Sequence, residues 1–314
     1  MLCVVALLVF GVLSIFSAKY RPLAAEAFDC TFRKLTLRKC ETGLDQRLKA
    51  QITGTIMAKN EKAAGFVFKH FETLSMVFTL IFFASMIYSI YSTYNFIKYG
   101  DCYGPVTTPL SGFCPYTLLE GEHLSGANVS YNGTIVFPTP GDDPSIGPAN
   151  AKVTIIEFGC LSCPYTRKAE SIVNELIARY GNQIYFIYKD FPLVQHGAAD
   201  YHAEAARCAG DQGKYWEYRE RVLQLQDVCQ NITDTADHIP ILKNIATELG
   251  LNRTAFDSCL DSRKYQPKIE SDFDAGVKAG VYGTPTFFIN NKTIVGPKPI
   301  DAFTAVIDEE LNKQ

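Results

Sequence analysis

The sequence predicts an α/β domain carried behind two transmembrane helices, and three observations carry that expectation. Val153 to Phe158 is a short, β-branched apolar run that reads as a covered strand, and Gly159 ends it. From Pro164 the apolar positions Ala169, Ile172, Val173, Leu176, Ile177 and Tyr180 recur at three and four, and Gly181 stands where a helix stops. Two long apolar stretches lie ahead of this unit, at residues 1–18 and 70–98.

In chain order, Met1 to Ala18 is apolar or small throughout and has no basic stretch before it, as a cleaved export signal would. It is expected to be an uncleaved transmembrane helix. Residues 19–69 carry Lys19, Arg21, Arg33, Lys34, Arg38, Lys39, Arg47, Lys49, Lys59, Lys62 and Lys69 against few acids, which places this loop in the cytoplasm. The spacing of Leu44, Leu48, Ile52 and Ile56 predicts an amphipathic helix, lying either on anionic lipid or on its own loop. Cys30 and Cys40 would then face a reducing compartment, and no chemistry is assigned to them. The second span has an aromatic belt at Tyr88, Tyr91, Tyr94 and Phe96 and returns the chain to the outer side of the cell membrane.

Residues 99–150 are rich in Pro, Gly, Ser, Thr and Asn and read as an extracytoplasmic linker. Cys102 and Cys114 lie within it, either as a structural disulfide or as a relay dithiol. Sequons at Asn128, Asn132, Asn231, Asn252 and Asn291 all follow the second span, in agreement with the topology read from charge. The net charge of -3 argues against a nucleic-acid partner.

The remaining domain, 151–314, continues from the first strand and helix into a second parallel strand at Gln183 to Asp190, which makes a right-handed β-α-β unit. Helical patterns follow at Ala199 to Ala209, Tyr215 to Gln226, Pro240 to Leu249 and Thr254 to Leu260. A longer helix at Gln266 to Ala279 leads to a hairpin of Thr286 to Ile289 and Thr293 to Val295, and Ile300 to Leu311 closes the chain. Cys160 and Cys163 lie where the first strand gives way to its helix. There, unpaired backbone N–H groups and the positive dipole end favour a thiolate over a thiol. The plainer readings are a structural disulfide, half of a zinc site, or two core cysteines, and no second C-x-x-C stands in this domain. Glu157, among apolar neighbours, is expected to be buried with a raised pKa, and so able to move a proton when a disulfide opens. His196 reads as a loop or helix-cap residue.

The strand ending I-I-E-F, the C-P-Y helix start, the strand Q-I-Y-F-I-Y-K-D-F-P-L, the helix A-E-A-A-R-C-A-G-D-Q-G-K-Y-W-E-Y and the G-V-Y-G-T-P-T-F-F-I-N run stand in one order. Together they resemble the DsbA-type branch of the thioredoxin-like thiol-disulfide oxidoreductases, over roughly the last half of the chain. The resemblance implies a thioredoxin-like fold with a helical insertion at about 198–264. It also implies a cis Pro285 whose preceding residue, Thr284, pairs with an extended substrate segment, and a disulfide between Cys208 and Cys259, which leaves Cys229 over.

One departure affects the site residues. In the family pattern the attacking cysteine follows the strand acid by six positions, which is Cys163, with Pro164 and Tyr165 after it, but Thr166 stands where the second cysteine is usual. Either Cys163 attacks and Cys160 resolves from the preceding loop, or the helix begins earlier and Cys160 attacks. The spacing to Glu157 and the place of Pro164 in the first turn favour the former.

The expected function is a membrane-anchored enzyme exchanging disulfides with exported proteins through Cys160 and Cys163. Its direction is open, and it needs no metal or organic cofactor. A membrane redox partner would reset the pair. The alternatives are a non-catalytic peptide-binding or chaperone module of the same fold, and a reductase facing the cytoplasm.

Overall fold

The computed structural model describes residues 2–36, 43–58, 60–106, 114, 125–126, 134–229, 232 and 234–313, in two compact units, Met1–Tyr91 and Ser92–Gln314. Arg38, Lys39, Cys40, Lys59 and the sequons at Asn128, Asn132 and Asn231 lie outside the described residues.

In the first unit, helix α1 (Leu2–Phe16) turns through Ala18–Tyr20 into α2 (Arg21–Leu35). Ala6 and Ala27 are buried between Leu7, Phe10 and Leu23. At 1.5 Å per residue a 15-residue helix is about 22 Å long, short of the roughly 30 Å of bilayer hydrocarbon. The first expected span is thus the short arm of a hairpin. The expected amphipathic helix is α3 (Leu44–Met57), followed by α4 (Glu61–Lys69), which Asn60 caps at the Ala63 N–H. Cys30 is buried and disulfide-bonded, which sits poorly with the reducing surroundings expected for that loop.

Helix α5 (Phe71–Tyr99) is 29 residues long. Among the described residues it alone has the length and apolar content to cross a membrane. Met76, Val77, Phe78, Leu80, Ile81, Ile87 and Ile90 are exposed along it. A sleeve of apolar side chains with no protein over it suits a lipid surround.

The second unit is built on a five-stranded sheet. Its strands are β2 (Ser145–Ile146), β3 (Val153–Gly159), β4 (Ile184–Asp190), β6 (Thr286–Ile289) and β7 (Lys292–Val295), in the order β2-β4-β3-β6-β7. Strands β3 and β4 run parallel in register from Val153 with Ile184 to Gly159 with Asp190, while β6 and β7 run antiparallel. Two further short strands, β1 (Ser125–Gly126) and β5 (Gly283–Thr284), pair with each other. Helix α6 (Pro164–Tyr180) crosses between β3 and β4 and stops at Gly181, whose φ of 50° lies in the region that favours glycine.

Both faces of β3 are covered, as its apolar run requires. Val153 and Ile155 pack into one core with Val173, Leu176 and Phe186, and Ile156 and Phe158 into another with Ile187, Phe191 and Phe288. Gly159 is required at the end of β3 because a Cβ there would lie 2.5 Å from the Tyr188 ring.

The helical insertion comprises α7 (Ala199–Gly210), α8 (Tyr215–Gln224), α9 (Gln226–Cys229), α10 (Thr235–Glu248) and α11 (Arg253–Asp261). Helix α10 starts five residues before the Pro240 expected to open it, because Asp234 caps it at the Ala236 N–H. Helix α12 (Gln266–Lys278) returns the chain to β5, and α13 (Ile300–Asn312) ends it. The linker's end is pinned by charge. Arg207 reaches Asp190 at 2.5 Å, Asp143 at 2.9 Å and Asp272 at 2.5 Å, and Lys189 also bonds Asp143, all in the interior.

Candidate functional site

The backbone places both cysteines at one end of β3. The N–H of Cys163 donates to the Cys160 carbonyl at 2.9 Å, closing a four-residue turn. Such a turn holds its end Cα atoms within about 7 Å, the reach of a disulfide. Cys163 is the N-cap of α6, with extended backbone, and Pro164 follows in the first turn, where its missing N–H leaves no carbonyl unpaired. Tyr165 is half-buried against the same apolar cluster as both cysteines. Thr166, where a second family cysteine was expected, is fully buried, and its Oγ1 accepts the Cys160 N–H at 3.4 Å. Gln226 from α9 fastens the turn from the other side, its Nε2 donating to the carbonyls of Leu161 at 2.7 Å and Cys163 at 3.0 Å.

Both cysteines are buried and unbridged. The Cys163 thiol donates to the Thr284 carbonyl at 3.4 Å, and the Thr284–Pro285 peptide is cis and buried. The carbonyl of Thr284, and not its hydroxyl, makes the contact, and Oγ1 is buried without a hydrogen-bond partner. The edge of Gly283–Thr284 is already paired, with Ser125 opposite Thr284 and Gly126 opposite Gly283, so a piece of the linker lies along it.

Cys160 turns toward His196, whose Nδ1 is 3.4 Å from its Sγ. His196, expected only as a loop or cap residue, thus touches the pair. Burial lowers its pKa, keeping it neutral at pH 7, and burial pushes the Cys160 thiol up to about 12. A hollow of about 450 Å³ lies between Leu193, Val194, Ile269 and Phe273, with Asp200, Arg263, Glu270 and Asp274 also in its lining.

Glu157 has no exposed surface, and neither carboxylate oxygen has a hydrogen-bond partner. The nearest charge is Arg219 of α8, with Nη2 at 3.6 Å, but that guanidinium holds Glu170 more closely at 2.5 Å. Desolvation therefore dominates over Arg219 and raises the Glu157 pKa to about 8. Spacing along the chain did not point to Arg219, Gln226 or His196. A basic residue on the buried side of α8, between Tyr218 and Val222, is the one signal that could have singled out Arg219.

Two further cysteine pairs of the second unit are closed. Cys208 and Cys259 join α7 to α11 with Cα atoms 5.8 Å apart, and Cys102 and Cys114 are joined with Cα atoms 5.6 Å apart.

A family model described as thioredoxin matches residues 139–309, and the chain belongs to that family. In its fold helices α7 to α11 interrupt the thioredoxin core. The crystal structure of oxidised BdbD from Bacillus subtilis has the same fold. It is 21% identical with a TM-score of 0.51, covering 58% of this chain and 100% of that one. DsbA1 from Wolbachia pipientis is 25% identical with a TM-score of 0.48, covering 55% and 92%. Among curated sequences, the Na(+)/H(+) antiporter NhaA 1 of Salinispora arenicola is 36% identical over 185 residues, and NhaA 3 of Salinispora tropica 34% over the same length. These alignments cover 59% of this chain but 27% of either relative, so the chain spans about a quarter of their length.

Proposed function

We propose that this chain is a membrane-anchored protein thiol-disulfide oxidoreductase, with Cys163 as the attacking cysteine and Cys160 as the resolving one. The observation that carries the reading is the position of Cys163. It caps α6, is joined by a turn to a second cysteine, and rests its sulfur on the carbonyl that precedes a cis-proline. An extended substrate laid along Gly283–Thr284 as an added strand would meet Cys163 directly.

With the pair oxidised, a substrate thiolate attacks Sγ of Cys163. The Cys160–Cys163 bond breaks and a mixed disulfide forms between substrate and Cys163. The departing Cys160 thiolate is a strong base in its buried site, so it takes a proton at once, and Glu157, on β3 three residues back along the chain, is an acid that still holds one at neutral pH. A second substrate thiolate then attacks the mixed disulfide, leaving an oxidised substrate and the Cys160–Cys163 dithiol. Run backwards, the same steps reduce a substrate, with Glu157 accepting the proton of Cys160. The direction is set by the potential of the membrane partner that resets the pair. Pro164, Tyr165 and Thr166 shape the turn, and Thr284 and Pro285 hold the substrate backbone.

Anchoring rests on α5, with the second unit on the extracytoplasmic side, where its disulfides persist. A second pass through α1 has the support of its composition but not of its length.

The test is equilibration of the full chain in glutathione buffers, followed by acid trapping and mass analysis. One two-electron transition should be assigned to Cys160 and Cys163 and lost in Cys160→Ser and in Cys163→Ser. No transition in the wild type at any accessible poise supports the non-catalytic peptide-binding module. Protease shaving of intact cells decides the side on which the domain lies.

A further inference from the structure

A second group of ligating side chains lies in the helical insertion, and disulfide exchange makes no use of it. His202 on α7, Cys229 at the end of α9 and His238 on α10 are buried and turn one ligand atom each toward a common point, all within 4.8 Å of one another. His202 Nε2 and His238 Nδ1 are 3.1 Å apart. Two metal–nitrogen bonds of about 2.0–2.1 Å in a three-coordinate site place their nitrogens roughly 3.5 to 3.6 Å apart, so a cation needs about half an ångström of opening between the rings and a matching closure by the Cys229 sulfur.

The outer nitrogens are already held as those of metal-bound histidines are. His238 Nε2 lies 3.4 Å from the Ile232 carbonyl, and a carbonyl only accepts, so Nε2 carries the proton and the Nδ1 lone pair faces inward. His202 Nδ1 lies 2.9 Å from the Ser162 hydroxyl, which either donates or accepts, so His202 can also present its Nε2 lone pair inward.

Charge selects the cation. Among the described residues no carboxylate joins the group. Two neutral imidazoles and one thiolate cancel a single positive charge, whereas a divalent ion would leave a net charge buried without a partner. The thiolate is a soft donor that suits Cu(I) and the two imidazoles are borderline donors that also suit copper, so with the charge count the set fits a monovalent, low-coordinate ion.

We propose that His202, Cys229 and His238 form a three-coordinate site for a soft monovalent cation, Cu(I). On binding, a sulfur–copper bond forms and the Cys229 thiol releases one proton to solvent, while the His202 proton shifts from Nε2 to Nδ1 and is donated to Ser162. Ser162 stands between Cys160 and Cys163, so occupancy of the site fixes one hydrogen bond of the redox turn. The site does not depend on disulfide exchange.

The test uses the full chain in detergent with its structural disulfides intact. Cys160→Ser and Cys163→Ser form the background, so that the dithiol binds no metal. Cu(I) is titrated anaerobically against a chromophoric Cu(I) chelator. One ion per chain is expected, with X-ray absorption reporting two nitrogens and one sulfur. Cys229→Ser and His238→Gln should each weaken binding by at least about 100-fold, and Ser162→Ala by about tenfold. A cooperative melt of each variant shows that it folds. Failure to compete for Cu(I), binding unchanged in folded Cys229→Ser, or a preference for Zn(II) over Cu(I) overturns the assignment.

Discussion

At the scale of single residues, chemistry is concentrated where burial and charge disagree. Glu157 sits in an apolar interior with its one cation shared, and it keeps its proton to a pH of about 8, against an ordinary value of 4.5. The folded chain thus holds a proton that the unfolded chain has lost over that window. The stability contribution is fully present below pH 4.5, falls as pH rises toward 8, and is flat above it. Glu157→Gln removes the titration. Thermal melts should therefore show the variant gaining on wild type between pH 5 and 8, by on the order of a few kcal/mol. Exchange activity should fall, on the order of 100-fold, because the amide cannot take the proton of Cys160. A stability difference that does not change with pH contradicts this account of Glu157.

The same scale shows what could be read from the residues alone. Glu157 was legible because it interrupts an apolar strand, and Cys163 because Pro164 fixes the helix start one residue later. His196, Gln226 and Arg219 were not, since each reaches the site from a segment 30 or more residues away, His196 from the loop after β4 and the other two from the insertion.

Among elements, periodicity located β3, α6, β4 and the closing hairpin to within a residue or two. A continuous apolar run bounded by turn residues, on a sheet covered on both faces, leaves little freedom in where such strands lie. The linker was harder. It has no periodic pattern, yet Ser125–Gly126 forms a strand against Gly283–Thr284, and Arg207 and Lys189 fasten Asp143. Two-residue pairing is weak, so the linker acts as a light cover over the edge on which substrate would lie. Deleting residues 115–133 should raise the rate of exchange with an unfolded, disulfide-bearing peptide severalfold in stopped-flow assays and leave the reduction potential of the pair unchanged. An unchanged rate means that the linker strand does not compete with substrate.

For the whole molecule, composition and patterning conveyed an α/β domain behind two apolar runs, and among the described residues only the second forms a helix with the length and apolar content to cross a membrane. Fifteen helical residues packed on α2 make a hairpin arm, whereas the 29 residues of α5 keep their apolar side chains outward along their length. The insertion is tied to itself by Cys208–Cys259, which closes a loop of 51 residues. On the chain-entropy view this bond contributes about 4 kcal/mol. Replacing both cysteines with alanine should lower the melting temperature by at least several degrees while leaving the Cys160–Cys163 transition in place, as calorimetry and acid trapping would show. Loss of that transition would mean that the insertion, and not the thioredoxin core, holds the site.

The central claim is that Cys163 attacks and Cys160 resolves. Cys160→Ser should accumulate a mixed disulfide between Cys163 and a client peptide that carries a disulfide, seen as a covalent mass increase that reductant reverses, and Cys163→Ser should accumulate none. A stable adduct on Cys160 in the Cys163→Ser chain, with none on Cys163, would contradict it.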